Sequence, residues 1–384
     1  MIICIRLKNF YSLFDEIAID FTADTSTSSS RRHLPGNLID YNGDKFVKII
    51  GLFGANASGK SNIIKAIDFC RNLILESHNY NENTKFRFEP FKFKTDVPSE
   101  FYINFVVEGI EYEYSFSLLN DMILAEHLYY FPHKRRARVF SRENTYDYTF
   151  GKGLISRPTS IISNTGPKTL FLSRASVLNR QLPAKIFRFF AENMVIGYGE
   201  YNIRYINKKD LEENKEDILK AFKVADSDIT DIQMVETSPD IYQIFTYHKG
   251  NMHIPFNFQS EESEGTKKLL YIILLIFKSK NRDVTFILDE FDLKLHQLLS
   301  EFLLDTITKS STLQLLFSSH NPALINYDRR RLDQIVIVSK DNEGITQASA
   351  LSDYSGLSLK TDLRKAYLQG RFDGIPYLGE TLIQ

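Results

Sequence analysis

The sequence is short of features that mark several other classes of protein. Its 384 residues include two cysteines, Cys4 and Cys70, and no tryptophan. Two cysteines cannot form a disulfide framework. The lack of such a framework is typical of proteins in the reducing cytosol, so we expect a cytoplasmic protein. The longest apolar run, Leu269–Phe277, is too short to span a bilayer, and the N-terminus lacks the layout of a signal peptide. No membrane association is therefore expected.

A surplus of charge of one sign is also missing. Lysine and arginine total 47 against 48 acidic residues, which gives a net charge of −1. Such a chain has no overall field that would hold it on DNA, so nucleic-acid binding is uncertain and would need a local patch. Two basic stretches, HKRRAR (133–138) and RRR (329–331), are candidates for contact with DNA phosphates or an acidic partner. The alternatives are a solvated loop or pairing with acids such as Asp328 or Asp333. A third stretch, Arg31 to His33, lies in a loop that is a candidate for contact with an adenine or a phosphate.

What the sequence does contain is an ordinary globular composition, 43% apolar and 25% charged, with alternating strand-like and helix-like patterns. The patterns predict an α/β fold with a phosphate-loop core sheet, an antiparallel β section and an inserted helical subdomain. We expect residues 1–384 to form a single structural unit. Its predicted segments are N-terminal strands and phosphate loop (1–85), antiparallel section (86–168), helical and β insertion (169–258), a lobe with the remaining motifs (259–340) and a tail (341–384).

Residues 54–61 read GANASGKS, a complete G-x-x-x-x-G-K-S phosphate loop. One apolar strand is expected before it, over FVKIIGLF (46–53), and an amphipathic helix after it, over 61–78. Glycines let backbone N–H groups approach phosphate oxygens, the lysine reaches the β- and γ-phosphates, and the serine hydroxyl ligates Mg²⁺. ATP and Mg²⁺ are therefore the expected ligands. The residues predicted to contact nucleotide here are Gly54, Asn56, Ala57, Ser58, Gly59, Lys60, Ser61 and Asn62.

Two acids follow the apolar stretch VTFIL (284–288), which suits a buried parallel strand whose carboxyl end faces a ligand. Asp289 is predicted to hold Mg²⁺ together with Ser61, and Glu290 to activate the attacking water as general base. A further apolar strand (312–318) leads to His320, which is predicted to sense the γ-phosphate. The alternatives are a surface turn for the acids and a structural histidine for His320.

The tetrapeptide Ser263-Glu264-Gly265-Thr266 precedes a long apolar helix pattern. Ser263 is a favourable N-cap, and this structural interpretation suffices if the stretch is considered alone.

Taken in order, these motifs resemble an ATP-binding-cassette ATPase head of the branch that includes RecF, SMC proteins and OLD nucleases. GANASGKS resembles its phosphate loop, SEGTKKLL its signature, TFILDEFD its acidic strand and SSHNP its switch-histidine loop. Two shorter stretches, TLFLS (169–173) and AYLQGRFDGIP (366–376), are similar to compact anti-phage defence ATPases of the RloA/AbiLi type and to the ATPase subunit of the PARIS system.

The resemblance implies that Ser263, Gly265 and Thr266 contact the nucleotide held by a second subunit, so that two chains share each ATP. It implies a homodimer or a higher assembly of dimers. It further implies a defence sensor or scaffold that controls a separately encoded effector, a toxin or nuclease, in response to a phage trigger.

The sequence departs from this pattern at several points. Glu262, Glu264 and Thr266 differ from the usual signature residues, and the region 86–93 offers no Q-loop glutamine. His296 lies in the segment after the acidic pair and is either close to the dimer interface or solvated. The stretch from Ala366 to Pro376 docks either on the head or on a partner.

Two other functions stay open at this point. One is DNA maintenance by a RecF-like ATPase. The other is the nucleotide-binding subunit of a transporter, against which the missing Q-loop match speaks.

Overall fold

The structure is a computed structural model that describes residues 1–25, 34–87, 89–198, 208–225, 228–238, 241–280, 282–325, 329–358 and 360–375. Its strands are β1 Ile2–Lys8, β2 Ile17–Asp20, β3 Leu38–Tyr41, β4 Asp44–Val47, β5 Ile49–Phe53, β6 Ser99–Val107, β7 Ile110–Leu119, β8 Met122–Tyr130, β9 Ala137–Glu143, β10 Asp147–Phe150, β11 Met194–Gly197, β12 Ile229–Ser238, β13 Ile241–His248, β14 Asn251–Asn257, β15 Val284–Leu288, β16 Leu313–Ser319, β17 Ile335–Lys340 and β18 Thr346–Ala350.

The α-helices are α1 Lys60–Glu76, α2 Pro158–Ile162, α3 Phe171–Val177, α4 Gln181–Arg188, α5 Lys208–Glu213, α6 Lys215–Val224, α7 Phe258–Glu261, α8 Glu264–Lys278, α9 Gln297–Lys309 and α10 Leu363–Leu368. The mixture of sheets and helices confirms the predicted α/β class.

The central sheet has the strand order β11-β15-β16-β5-β17-β18 within the described residues. All neighbours are parallel except β18, which runs antiparallel to β17. Strands β5, β15 and β16 are buried along their whole length, as expected for parallel strands covered on both faces. Because parallel strands end at the same edge, the segments after β5, β15 and β16 are brought together.

Alternate side chains of these strands enter two different cores. Ile50 and Leu52 of β5 pack on one face with α1 and the antiparallel sheet. Ile49 and Phe53 pack on the other face with α8 and α9. Full burial of each large apolar side chain contributes about 1.5–3 kcal/mol, so both layers are firmly attached to the sheet that carries the motifs.

A second, antiparallel sheet has the order β10-β9-β8-β7-β6-β1-β2 in the described part of the chain. The predicted strand pair near the N-terminus is confirmed, and β1 also pairs with β6, which joins the first predicted segment to the second. The TLFLS stretch is attached to this sheet, since Glu126 of β8 accepts hydrogen bonds from the backbone N–H groups of Phe171 (2.6 Å) and Leu172 (2.9 Å). Burial raises the pKa of Glu126, although nearby Arg142 and the hydrogen bonds oppose this shift. TLFLS is thus a buried anchor in this structure.

A three-stranded antiparallel sheet, β12-β13-β14, precedes α7 and α8. Its inner face packs against the apolar face of α6 and the core around α8. The strand-like alternation at residues 230–258 predicted these strands.

The structure corrects three details of the sequence interpretation. The single strand expected over 46–53 is two strands, β4 and β5, interrupted at Lys48, whose ammonium donates to the carbonyl of Thr308 at 2.8 Å. Residues 170–225 contain β11, an edge strand of the central sheet, inside a region interpreted as helical. The helix expected near 293–309 begins at Gln297, because His296 is its N-cap and accepts from the Leu298 N–H at 3.3 Å.

Candidate functional site

The phosphate loop joins β5 to α1, as predicted, and both of its glycines are required by close packing. Gly59 has φ = 112°, and a Cβ there would lie 2.1 Å from Thr346 Oγ1. A Cβ on Gly54 would lie 2.1 Å from the carbonyl oxygen of Val338. Ala57, at the loop tip, also has a positive φ of 63°. The loop therefore depends on glycine for its own shape as well as for any approach of phosphate.

Lys60 lies at the start of α1 and is buried. Its ammonium donates to the carbonyls of Gly54 and Ala55, both at 2.8 Å. Burial lowers the pKa of Lys60 to about 8, while the negative charges of Asp289 and Glu290 oppose this shift. The lysine thus remains mostly charged at neutral pH and shares its electrostatic environment with the predicted metal ligand Asp289 and the predicted general base Glu290.

Three polar side chains brace the loop from outside. The Asn62 amide donates to Ser12 Oγ at 2.7 Å, and the hydroxyls of Ser12 and Thr346 are 2.7 Å apart. Thr346 Oγ1 in turn donates to the carbonyl of Ser58 at 3.0 Å. Ser12 and Thr346 were not identified from the sequence. Asn62, which was predicted to contact nucleotide, donates to Ser12 in the structure.

The C-terminal stretch docks on the head, which decides between the two alternatives left open for it. The carbonyl of Gly374 accepts from the Ala55 N–H of the phosphate loop at 2.6 Å and from the Tyr367 hydroxyl at 3.0 Å. Phe372 is fully buried beside it. Pro376, the last residue of that stretch, lies outside the described residues.

The acidic pair lies at the carboxyl edge of the central sheet, as predicted. The N–H of Asp289 donates to the carbonyl of Gly197 in β11 at 2.8 Å. Ser318 of β16 joins the two acids, because its hydroxyl donates to Asp289 Oδ1 and accepts from the Glu290 N–H at 2.8 Å. Ser318 is fully buried and was missed, although a serine inside an apolar strand was a visible signal.

Glu290 adopts a left-handed backbone conformation with φ = 49°. A residue other than glycine pays of order 1–3 kcal/mol for such a conformation, which persists only where its surroundings enforce it. The turn at Glu290 directs the chain out of β15 toward α9.

His320 follows β16 at the same edge. Partial burial and the positive charge of Lys60 lower its pKa, whereas the carboxylates of Glu290, Asp292 and Asp289 oppose this shift. The neutral form of His320 is therefore favoured, and His320 lies within electrostatic reach of Lys60, Asp289 and Glu290.

Ser263 is the N-cap of α8, as the sequence predicts, and its Oγ accepts from the Thr266 N–H at 3.1 Å. The Thr266 hydroxyl lies 2.8 Å from the same oxygen. Gly265 packs on the turn after β15, where a Cβ would lie 2.6 Å from the carbonyl of Lys294. Ser263 is exposed, so the start of α8 faces solvent in the single chain.

Glu89, in the region 86–93 where a Q-loop glutamine was sought, lies against the turn between β1 and β2. The Tyr11 N–H donates to the carbonyl of Glu89 at 2.8 Å. Strand β15 is paired on one side with β11, and the residue after β11, Tyr198, donates its hydroxyl to Asp68 Oδ2 at 2.8 Å.

The basic stretches are largely engaged within the chain. Arg136 pairs with Glu113 at 2.6 Å and stacks on Tyr129. Arg331 pairs with Asp333 at 2.6 Å, as the structural alternative expected, and Arg329 pairs with Asp305. Arg31 to His33 lie outside the described residues. These contacts give no support to a nucleic-acid patch.

Comparison with known families gives a match over residues 49–326 to the family described as "AAA domain, putative AbiEii toxin, Type IV TA system". The match covers most of the chain, which therefore belongs to this family and is an ATPase of the AAA/ABC type. No curated protein matches the sequence.

Solved structures of SMC heads show a distant likeness. The SMC head domain from Thermotoga maritima is 14% identical, with a TM-score of 0.42 over 91% of this chain and 98% of that one. An Smc head bound to the C-winged helix domain of ScpA is 15% identical, with a TM-score of 0.46 over 94% and 98%. A head with an extended coiled coil, bound to the C-terminal domain of ScpA from Pyrococcus furiosus, is 13% identical, with a TM-score of 0.40 over 92% and 97%. Likeness at this level says nothing about activity.

Proposed function

We propose that this ATPase binds and hydrolyses Mg-ATP at sites shared by two subunits, as the working part of a cytoplasmic anti-phage defence system. The observation that carries the ATPase part is that Lys60, Asp289, Glu290 and His320 follow adjacent parallel strands at one sheet edge, where the charges of Lys60, Asp289 and Glu290 act on one another and on His320. Phosphoryl transfer depends mainly on such positioning and charge stabilisation.

The residues at this edge fit a magnesium ion. Asp289 is buried, and the hydroxyl of Ser318 donates to Oδ1 and fixes the orientation of the carboxylate. Ser61 follows Lys60 in the first turn of α1. The Asp289 carboxylate and the Ser61 hydroxyl therefore offer oxygen ligands of the kind that Mg²⁺ accepts. Asp289 and Ser61 would hold this ion, which would supply positive charge to neutralise the phosphates.

Each protein group has a distinct task in this proposal. The N–H groups of the phosphate loop and the Lys60 ammonium bind the β- and γ-phosphates. The Glu290 carboxylate accepts the proton of the attacking water, and neutral His320 contacts the γ-phosphate. Ser318 keeps both acids in place.

The second half of each site comes from the partner subunit in this proposal. Ser263 and Glu264 are exposed at the start of α8, where the positive end of a helix dipole suits a phosphate. Ser263, Gly265 and Thr266 would contact the nucleotide held by the other chain. A homodimer is the smallest assembly that completes the site, and higher assemblies of dimers are compatible with it.

The defence role is supported by the family description, which names a putative toxin and a type IV toxin–antitoxin system. We propose that ATP binding and hydrolysis control a separately encoded effector, a toxin or nuclease, and that a phage product is the trigger. Among the described residues no helix is long and apolar enough to cross a membrane.

Two experiments test the two levels of this proposal. Phosphate release by the purified chain with Mg-ATP tests the ATPase, and absence of turnover would contradict it. Phage plating on cells that carry the gene with its neighbours, compared with the Glu290→Gln variant, tests the defence role. Equal plating with both, and no neighbouring product that co-purifies, would contradict that role.

A further inference from the structure

Lys268 is a lysine in the apolar face of helix α8 and is only 2% exposed. Its ammonium donates to the carbonyl oxygen of Glu290 at 2.6 Å and to that of Leu293 at 3.0 Å. A buried charge is costly unless hydrogen bonds compensate it, so these contacts are a specific feature of the fold. They connect α8, the helix that begins at the signature residues Ser263 to Thr266, directly to the backbone of Glu290, the predicted general base.

The two carbonyls belong to the turn between β15 and α9, which contains two positive φ angles. Glu290 has φ = 49° and Lys294 has φ = 63°. These conformations are unfavourable for residues with a Cβ and need enforcement by neighbouring groups. The Lys268 ammonium supplies such enforcement, because it binds one carbonyl at the beginning of the turn and one near its end.

The same turn packs against the first residues of α8. Because Gly265 has no side chain, the carbonyl of Lys294 can pack against it. A Cβ at position 265 would lie 2.6 Å from that carbonyl oxygen. The Lys294 ammonium lies 3.5 Å from the Glu264 carboxylate on the outer side. The start of α8 and the Glu290 turn are therefore one packed unit, and a shift of one carries the other.

We infer that Lys268 is a positioning residue for ATP hydrolysis, which holds the Glu290 backbone and transmits the position of the signature helix to Glu290 of the same chain. This inference rests on the proposed shared ATP site. Nucleotide bound by the partner subunit presses on the start of α8, and Lys268 makes the Glu290 conformation depend on that contact. Burial lowers the pKa of Lys268 to about 8, against the effect of Asp292 and Glu290, so the ammonium is mostly charged at neutral pH.

Lys268→Met, which removes the charge and keeps the length of the side chain, tests the inference. Misplacement of a catalytic group by about 1 Å costs roughly 10²-fold in rate, so we expect kcat to fall by about that factor. Mg-ATP affinity should stay within about threefold, because Lys60 and the phosphate loop are unchanged. Lys268→Arg, which keeps the charge, should regain at least about a tenth of the parental kcat, and an equal loss in both variants would contradict the assignment to the charged bonds.

Lys48→Met is the matched control. Lys48 is also buried, and its ammonium also donates to a backbone carbonyl, that of Thr308 at 2.8 Å, but at the opposite edge of the central sheet. Its loss should lower thermal stability about as much as that of Lys268 and leave kcat within about twofold of the parent. A folded Lys268→Met protein with parental kcat would overturn the inference.

The double variant with Glu290→Gln separates positioning from a general structural effect. If Lys268 acts through Glu290, Lys268→Met should change the residual rate of Glu290→Gln by less than about twofold, since residues that act as a unit are not additive. A further fall by the full factor would overturn the inference while the parental ATPase remains. Absence of ATPase activity in the parent would instead contradict the proposed function.

Discussion

The phosphate loop and the start of helix α8 differ in how much of their support comes from the chain itself. The phosphate loop is braced by Thr346 through the carbonyl of Ser58 and by Gly374 through the Ala55 N–H. Ser263, by contrast, is exposed and bonds with Thr266 of its own helix. Under the proposed function, the phosphate-loop half of the ATP site is complete in a single chain, while the half at the start of α8 is displayed for a partner.

The two regions should therefore respond differently to substitution. Changes at the phosphate loop should weaken nucleotide binding, and changes at the start of α8 should slow hydrolysis without loss of binding. The predictions below begin with the largest expected effect.

Ser263→Arg should reduce kcat by at least roughly 10²-fold, the size of effect seen when one preorganised donor is lost from a catalytic site. Binding of Mg-ATP to the single chain should stay within about threefold, because the phosphate loop is untouched. Steady-state phosphate release and calorimetric titration measure the two quantities. Ser163→Arg, an exposed position beside the antiparallel sheet, is the control. Normal hydrolysis by Ser263→Arg would mean that ATP is not shared between subunits.

Lys60→Ala should weaken Mg-ATP binding by roughly 30-fold or more, since loss of one partner from a desolvated charge pair costs about 2–5 kcal/mol. Titration with a fluorescent ATP analogue measures the effect. Lys45→Ala, which removes an exposed lysine paired with Asp40, should leave affinity unchanged. Equal affinity in Lys60→Ala and the parent would place the nucleotide elsewhere.

Ser318→Ala should lower activity or Mg²⁺ affinity by roughly 10- to 100-fold, as is usual when a residue that orients a metal ligand is removed. The reason is that Asp289 and the Glu290 N–H both lose their common partner. A magnesium titration of the ATPase rate provides the measurement. Ser310→Ala, at the C-cap of α9 three residues before β16, is the control and should be neutral.

The smallest expected effect is on stability. It concerns the contact between His248 of β13 and Glu262, the residue before the N-cap of α8. His248 contacts Asp228 and Glu262, each at 2.8 Å, and Glu262 directly precedes Ser263. Burial lowers the pKa of His248, but its hydrogen bonds with Asp228 and Glu262 outweigh this and raise it above 6.5 overall. The protonated form is therefore favoured by folding, and its contribution is full below the unfolded value and is lost as pH rises through the folded value.

His248→Gln should accordingly destabilise the protein by at most about 1 kcal/mol, and more at pH 6 than at pH 8. Urea unfolding of both proteins at the two pH values measures the difference. A loss that is larger at pH 8 would show that the imidazolium pair does not form.

Local patterns predicted those parts of the molecule that local forces determine. The phosphate loop with α1, the strand β15 and the cap at Ser263 were all recognisable, because their spacing and side-chain types are fixed by contacts within a few residues. Strand β11 was missed, since its four residues become a strand only through pairing with β15 about 90 residues later.

The supporting residues of the site were equally hidden for a physical reason. Ser12 and Thr346 meet across a separation of 334 positions, and Lys268 reaches Glu290 across 22. A serine, a threonine or a lysine carries no sign of such a contact in its immediate sequence. Their roles follow from the topology that brings strand ends together.

The central claim is that the exposed start of α8 completes the ATP site of a second chain. The most direct test is the solution mass of the Glu290→Gln variant, measured by light scattering with and without Mg-ATP. Loss of the general base commonly costs roughly 10²- to 10⁴-fold in rate, so bound ATP should persist. The mass should double when Mg-ATP is added, and Ser263→Arg in the same background should prevent the doubling. A mass that remains that of one chain under both conditions would contradict the claim and leave Ser263 as a helix cap.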